Sequence, residues 1–384
     1  MFTQSELETI PEALRKIFKT LEIRVFDDIC RRIRDTNSIT RTADYQIQRL
    51  NQLKLTYPKE LKELIQEALD LADEEIDELY DDVIKEGYVR DKDLYIKTKT
   101  DWIPYEDNKP LLQLVDSIKK QTKGTFKNFS NTLGIINKGN DTEKLTDYFK
   151  NKIDQSITEI GTGTFDYNSS MKNIIEEMTN SGIRVVDYEN GWRNRIDVAT
   201  RRAVMTGLNQ ITNHISEENS KKLNTDYFEV SYHTTARPTH QKWQGRVYSR
   251  NELVSICGLG EPLGLLGINC YHHYDAFVMG VSERRYSDEW LKEQNEKANK
   301  PRSYNGKDYT LYEATQRQRA LETRIRAYSQ KIKLLKTYGD EESLLATEIR
   351  YKRLLIEYND FSKAMGLPVQ TERLRQDNSL SYGN

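Results

Sequence analysis

Residues 233–273 hold most of the side chains in this chain that could bind a metal or attack a substrate. Four of the five histidines and two of the three cysteines fall in this stretch, about a tenth of the sequence. Imidazole nitrogen and thiolate sulfur are good zinc ligands, and a structural zinc site needs four of them to converge. The candidate metal ligands are His233, His240, Cys270 and His272.

The spacing of these residues fits a zinc site poorly. There is no Cys-x-x-Cys knuckle, and the ligands would have to be gathered from a strand end, a turn and a distant Asn-Cys loop. The alternative is that the histidines hydrogen-bond backbone groups and stabilise a small, loop-rich core. We favour this second interpretation, so no cofactor is expected and zinc is the alternative.

Nucleophilic catalysis and phosphate binding are poorly supported by the same stretch. Cys257 or Cys270 could act as a nucleophile with a nearby histidine only if the thiol pKa were lowered. Cys270 has His272 and His273 close in sequence but lies in no protease signature. The loop 258–267 is rich in glycine, but the Lys-Ser/Thr of a P-loop does not follow it. Its glycines are expected to permit turns with positive φ.

An arginine-rich segment follows Trp192 on a predicted helix. Its spacing spreads four side chains over more than one helix face: Arg193, Arg195, Arg201 and Arg202. They could contact phosphates or carboxylates on a partner, but ordinary solvated or ion-paired side chains are the favoured interpretation. The formal net charge of −2 also argues against a protein that coats DNA.

The composition indicates a helical protein with a large polar surface. Of 384 residues, 36% are hydrophobic and 31% charged, and the mean hydropathy is −0.79, so thin helix-on-helix layers are expected over two to three domains. Three cysteines are too few for a disulfide framework, the N-terminus lacks a secretory signal, and no apolar run reaches about eighteen residues. We therefore expect a protein made in the cytoplasm, with no membrane contact.

Apolar residues at helical spacing predict long helices in the first half of the chain. One helix is expected over 5–36, and a second from about residue 40 to Leu53. A third is expected over 59–86, with Pro58 in its first turn and Gly87 as its stop. A weaker helical region with turns over 121–185, and a helix from Trp192 to about Ser220, complete this half.

The periodicity then changes and returns to helix in the last quarter. Short strands are expected at 227–233, 246–249 and 276–279. Apolar residues at steps of four and three predict a long antiparallel αα-hairpin that turns at Gly339 and ends before Gly366. The fold class is therefore α+β and predominantly α-helical, with long helices and the C-terminal αα-hairpin flanking a small, loop-rich domain that contains the strands.

This pattern predicts four segments. They are an N-terminal helical domain, a weaker helical region with turns, a β-containing core, and a C-terminal helical hairpin with a loosely ordered polar tail: residues 1–120, 121–190, 191–285 and 286–384.

Two stretches of the β-containing core resemble one protein family. Residues 235–245 hold an Arg-Pro-x-His turn followed by Trp and Gly, and residues 267–272 hold an Asn-Cys pair. In this order they resemble the tailed-phage minor capsid protein 2 family, which is similar to the Mu F-like head-morphogenesis proteins. The matching positions are Arg237, Pro238, His240, Trp243, Gly245, Asn269, Cys270 and His272.

The detailed resemblance covers about residues 190–290, and the helical flanks resemble the family in length, order and character. Mu F-like members more often continue from the Asn-Cys pair to a second cysteine. This chain has Tyr271-His272 there instead, which argues against a shared zinc site.

The resemblance implies a minor structural protein of a tailed-phage head, acting in capsid assembly, portal association, or DNA packaging or ejection. The motif residues would form a rigid fold nucleus, and the flanking helices would dock onto the portal or the major capsid protein. The implied location is the virion head, reached from the host cytoplasm during assembly, and contact with packaged DNA is also implied.

Two other functions compete with this one. The first is a nucleic-acid-binding module of the virion, and the second is a zinc-dependent or ribosyltransferase-like enzyme. The chain has no HNH-type or His-Glu-x-x-His pattern, and no further domain is left once the helices are assigned. We therefore expect no enzyme activity and no catalytic residue.

Overall fold

A computed structural model of the chain describes residues 4–36, 43–162, 164, 167–186 and 191–374. It is 69% helical with a few small antiparallel sheets, which confirms the predicted α+β, predominantly helical class. The described helices are α1 (Gln4–Thr9), α2 (Glu12–Thr36), α3 (Ala43–Val89), α4 (Lys92–Thr98), α5 (Lys109–Thr132), α6 (Leu145–Thr162), α7 (Tyr167–Ser181), α8 (Ile196–Lys222), α9 (Pro238–Gln241), α10 (Arg250–Ser255), α11 (Asp288–Asn299), α12 (Leu311–Tyr338), α13 (Glu341–Met365) and α14 (Thr371–Leu374), with a 3-10 turn at Tyr105–Asp107.

The described strands are short and form three antiparallel sheets. They pair in the orders β2-β1-β3-β4, β6-β5-β7 and β8-β9. Their bounds are β1 (Leu133–Ile136), β2 (Thr142–Lys144), β3 (Arg184–Val186), β4 (Arg193–Arg195), β5 (Tyr227–Val230), β6 (Val247–Ser249), β7 (Tyr274–Phe277), β8 (Arg302–Tyr304) and β9 (Lys307–Tyr309).

The helix predicted over 5–36 is divided in two. Helix α1 ends at Thr9, and α2 begins at Glu12 after a turn at Ile10 and Pro11. The Pro11 carbonyl accepts a bond from the Arg15 N–H at 3.0 Å, so this proline starts the second helix. The prediction of one continuous helix is wrong here, because proline lacks the N–H that would continue the first helix.

Two predicted boundaries are wrong because α3 runs without a break from Ala43 to Val89. Pro58 and Gly87 both lie inside this helix rather than at its ends. Pro58 removes one helical hydrogen bond. The free energy lost with that bond is offset by burial of the neighbouring side chains of Tyr57 and Leu61, which are fully buried. The predicted start of the second helix, near residue 40, lies outside the described residues.

The region predicted as weakly helical also contains most of the first sheet. Strand β1 follows α5 directly and pairs with β2 on one side and β3 on the other. Because β4 occupies Arg193–Arg195, the helix predicted from Trp192 begins only at Ile196. Strands of three or four residues are too short to show an alternating pattern in the sequence.

The largest hydrophobic core lies where α2, α3, α5 and α8 pack together with α6 and α7. Most of its buried residues lie between Leu7 and Ile215. Three more come from α12: Leu334, Leu335 and Tyr338. The core therefore draws on all four predicted segments, and their boundaries at 120, 190 and 285 stay a prediction.

Strands β5, β6 and β7 with their connecting loops, residues 227–277, are called the β unit below. The predicted strands are present here, with β7 two residues earlier than expected. The β unit has a separate core that includes Phe228, Trp243 and Cys270. It rests on α8, where the Ser216 hydroxyl donates to the Tyr274 carbonyl at 2.5 Å. Helix α8 thus joins the β unit to the main core.

The predicted αα-hairpin is confirmed by α12 and α13. They are joined at Gly339, whose φ of +90° is the left-handed conformation that glycine adopts without strain. Gly366, with a φ of +66°, ends α13. The tail predicted to be loosely ordered contains the short helix α14, and residues 375–384 lie outside the described part of the chain. No described helix is long and apolar enough to cross a membrane.

Candidate functional site

The β unit brings the two halves of the sequence motif into contact. Helix α9 begins at Pro238, directly after the Arg237 corner, and the loop after Gly267 leads back into β7. The Arg237 guanidinium donates to the Ile268 carbonyl at 2.7 Å. This bond connects the first half of the motif to the second.

Three of the four candidate metal ligands converge in this place. The Nδ1 atoms of His240 and His272 lie 3.4 Å apart. The Cys270 Sγ lies 3.4 Å from His272 Nδ1 and 3.8 Å from His240 Nδ1. All three side chains are buried, and within the described part of the chain they form the one group of this kind. We call them the His240–Cys270–His272 cluster.

The fourth candidate ligand, His233, does not join this cluster. Its Nε2 lies 3.1 Å from the Ser231 hydroxyl, and its ring packs edge-on against the His272 ring with centroids 4.6 Å apart. Cys257 is likewise separate and belongs to the apolar core of the β unit. The sequence places these side chains in one stretch, but it does not distinguish the three that meet from the two that do not.

Both cluster histidines are fixed by hydrogen bonds on their outer side. His240 Nε2 lies 2.8 Å from the Leu263 carbonyl, and His272 Nε2 lies 2.9 Å from Gln244 Oε1. The same Oε1 accepts the His233 backbone N–H at 2.9 Å, which identifies it as an oxygen. Both Nε2 atoms therefore carry the hydrogen, because their partners are acceptors.

Burial disfavours the charged forms of the cluster side chains. It lowers the pKa of His240 and places that of His272 well below its usual range, where the neighbouring histidines add to the effect. Burial likewise raises the pKa of the Cys270 thiol, and that of Cys257 to about 12. A nucleophilic cysteine needs the opposite change, so neither thiol has the environment of an activated nucleophile.

A cavity of about 540 Å³ opens beside the cluster, between the β unit, α8 and α12. Six arginines line it: Arg15, Arg201, Arg237, Arg319, Arg326 and Arg373. Some of these arginines pair with acidic side chains that also line the cavity. Arg373 lies 2.8 Å from Glu8, and Asp197 pairs with Arg15 and Arg326. No pattern in the sequence predicted this cavity, because its lining comes from segments far apart in the chain.

All four arginines of the predicted segment make side-chain contacts with other residues of the same protein. Arg193 donates to the Asn140 carbonyl at 2.6 Å, and Arg195 pairs with Glu22 at 3.4 Å. The guanidinium groups of the other two lie over aromatic rings, Arg201 on Tyr271 at 4.6 Å and Arg202 on Trp192 at 5.2 Å. These contacts agree with the favoured interpretation of ordinary solvated or ion-paired side chains, although only Arg195 is ion-paired among them.

The remaining motif residues shape the backbone and fill the core around the cluster. The Trp243 ring packs on the rings of His240 and His272, with centroids 4.5 and 4.8 Å away. Gly245 has a φ of +71°, and Asn269 has a φ of +56°, so both occupy the left-handed region at turns. Gln244 was not among the predicted functional residues, although it lies inside the motif and orients His272.

The glycines of the loop 258–267 act in two ways. Gly258 and Gly260 have φ values of +66° and +94°, which confirms the predicted turns for these two. Gly264 instead permits close packing, because a Cβ there would lie 1.9 Å from the backbone oxygen of Gly258. This loop also supplies the Leu263 carbonyl that holds His240.

Replacing Gly264 by alanine is expected to lower the free energy of unfolding by about 2–3 kcal/mol, because the new methyl group meets backbone that cannot move aside without opening the loop. Urea denaturation measures this loss. Gly124→Ala is the control, since Gly124 lies within α5 and has open space around it. This control should gain about 0.5–1 kcal/mol. A Gly264→Ala protein as stable as the wild type would contradict the close packing.

Comparison with known proteins finds a family model, described as phage minor capsid protein 2, that matches residues 2–361. No curated protein and no solved structure matches the chain. The family match extends over the helical flanks as well as the β unit.

Proposed function

The chain belongs to the phage minor capsid protein 2 family, and we propose on this basis that it is a minor structural protein of a tailed-phage head. The observation that carries the proposal is the family match over residues 2–361, which includes the long helices on both sides of the β unit. The protein is then located in the virion head and is assembled there from the host cytoplasm. It acts in capsid assembly, portal association, or DNA packaging or ejection.

The outer face of α13 supports a role in protein–protein contact. Leu345, Ile349 and Ile356 follow one another at steps of four and seven, which places them on one face of the helix. They are 62, 45 and 60% exposed. The opposite face of the helix is buried in the hairpin core. Lys352 is exposed on the same face between Ile349 and Ile356, so the surface is three apolar side chains around one lysine. Exposed apolar side chains grouped in this way are suited to docking on another subunit. The proposed partner is the portal or the major capsid protein.

The proposal is tested by complementing a phage that lacks the gene and measuring the protein in purified virions and procapsids by mass spectrometry. The wild-type chain is expected at a constant ratio to the portal protein. The double variant Leu345→Asp/Ile356→Asp should reduce incorporation at least about tenfold, since two buried charges would each oppose docking.

Arg350→Asp is the matched control, because Arg350 is exposed on another face of α13 and its reversal changes the net charge by the same amount. It should be incorporated like the wild type. Absence of the wild-type chain from both virions and procapsids would refute the proposed function. Binding to DNA with a steep salt dependence in a gel shift would instead favour a nucleic-acid-binding module.

A further inference from the structure

The geometry of the His240–Cys270–His272 cluster points to a zinc site, and we infer that the two Nδ1 atoms and the Cys270 Sγ bind one zinc ion. Zinc–nitrogen and zinc–sulfur bonds of about 2.0–2.1 and 2.3 Å in a tetrahedron separate two nitrogens by about 3.4 Å and nitrogen from sulfur by about 3.5 Å. The three observed separations are 3.4, 3.4 and 3.8 Å. The separations of the three donor atoms therefore lie within about 0.3 Å of those in a tetrahedral zinc site.

The hydrogen-bond network prepares both imidazoles for a metal. A neutral imidazole carries one hydrogen, and in His240 and His272 that hydrogen is on Nε2, bonded to the Leu263 carbonyl and to Gln244 Oε1. Both Nδ1 atoms therefore present lone pairs within the cluster. The Cys270 thiol has one hydrogen and can satisfy only one of them, whereas a cation satisfies both nitrogens and the thiolate.

The outer hydrogen bonds have the form that metal-binding histidines use. Such a histidine almost always donates its other ring N–H to a carbonyl, a carboxylate or a water, and this fixes the orientation of the ring. Here the acceptors are a backbone carbonyl and a side-chain amide that is itself held by the His233 N–H. One sulfur and two imidazole nitrogens suit zinc rather than magnesium or calcium, which prefer oxygen ligands.

The three ligands leave one coordination position for a tetrahedral ion. His240, Cys270 and His272 all line the arginine-rich cavity, so water from this cavity completes the coordination. The ion would link α9 to the loop before β7, in addition to the Arg237–Ile268 bond. When zinc binds, the Cys270 thiol releases its proton to solvent and the sulfur bonds to the metal as thiolate.

The experiment uses the full chain without a polyhistidine tag, purified under reducing conditions and dialysed against buffered zinc. Elemental analysis is expected to find one zinc per chain. Cobalt(II) in place of zinc should give the visible bands of a tetrahedral site and a thiolate-to-cobalt charge-transfer band. X-ray absorption of the wild-type zinc protein should show one sulfur and two imidazole nitrogens, completed by one oxygen.

Variants distinguish the ligands from their surroundings. His240→Ala, Cys270→Ser and His272→Ala should each lower zinc affinity more than about 100-fold, and Cys270→Ser should abolish the charge-transfer band. Gln244→Leu removes only the acceptor behind His272 and should lower affinity by about 10–100-fold. Cys257→Ser is the control, because it alters a second buried cysteine of the β unit outside the cluster. It should retain both the zinc and the charge-transfer band.

The site is refuted if the wild-type chain holds less than about a tenth of an equivalent of zinc after dialysis, or if absorption data on the wild type show no sulfur ligand. Retention of the cobalt–thiolate band in Cys270→Ser also refutes it. The spectroscopy of the wild-type protein decides the question even where a ligand variant fails to fold. None of these results depends on the proposed role in the phage head.

Discussion

Replacement of Asp197 by asparagine is expected to lower the free energy of unfolding by about 3–5 kcal/mol, because it removes the negative partner from a buried ion cluster. Asp197 lies in the first turn of α8 and is buried. Its carboxylate is 3.2 Å from Arg15 of α2 and 3.8 Å from Arg326 of α12. The cluster thus connects an N-terminal helix, a central helix and the C-terminal hairpin.

The pKa of Asp197 shows how strongly the arginines favour its charged form. Burial by itself would raise this pKa, but Arg326 and Arg15 hold it at about 2, against an ordinary value of 3.8. Because the pKa in the folded protein is lower than in the unfolded chain, the stabilisation is present above pH 4 and is lost as the pH falls toward 2. The charged form of Asp197 therefore contributes about 2 kcal/mol to the free energy of unfolding above pH 4, relative to its protonated form.

The prediction is checked by urea denaturation of wild-type and Asp197→Asn proteins between pH 7 and pH 2.5. The difference between the two should be largest at neutral pH and should shrink as the pH falls below 4. Asp288→Asn is the control, since Asp288 is exposed and pairs with Arg246 and Arg284 at the surface. Its effect should be small. If Asp197→Asn lowered the free energy of unfolding no more than this control does, the stabilising role of the buried ion cluster around Asp197 would be contradicted.

Replacement of Trp243 by alanine is expected to lower the free energy of unfolding by about 3–5 kcal/mol, because it leaves a cavity in the small core of the β unit. Trp243 is only 5% exposed, and its ring packs on the rings of both cluster histidines. The β unit has a core of its own, separate from the main helical core. The loss of protection should therefore concentrate in residues 227–277.

Hydrogen exchange followed by mass spectrometry can measure this local effect, together with urea denaturation for the global one. Amides of β5 and β7 should exchange faster in Trp243→Ala, whereas those of α3 and α5 should change little. Trp192→Ala is the control, since Trp192 is 49% exposed and outside the β unit. It should lose about 1 kcal/mol or less. Equal acceleration of exchange in α3 and in the β unit would show that the two cores are not separate.

Helices whose apolar face repeats over many turns were predicted well, and short elements were not. The αα-hairpin is the clearest success, because α12 and α13 each repeat their pattern over about seven turns and a glycine marks the turn between them. Strand β4 was mistaken for the start of a helix, since three residues cannot show a period. At Pro58, tertiary burial outweighs the local preference of proline for a helix end.

The sequence likewise predicted some features of the candidate site and missed others. Residue types and motif order identified the stretch that holds His240, Cys270 and His272, and they pointed to the family that the match over residues 2–361 shows. They did not separate these three side chains from His233, because a coordination geometry depends on how strands pair and loops return. Gln244 was overlooked for the same reason.

The amino-acid sequence alone therefore determined the helical class, the αα-hairpin, the β-containing segment with its rare side chains, and the family. Only the tertiary structure decided which imidazoles meet a thiol, and that Asp197 is enclosed by arginines from two distant helices. The physical reason is the range of the interactions. Helical periodicity and turn preference act over a few neighbouring residues, whereas a ligand set or a buried ion cluster forms only when segments far apart in the chain pack together.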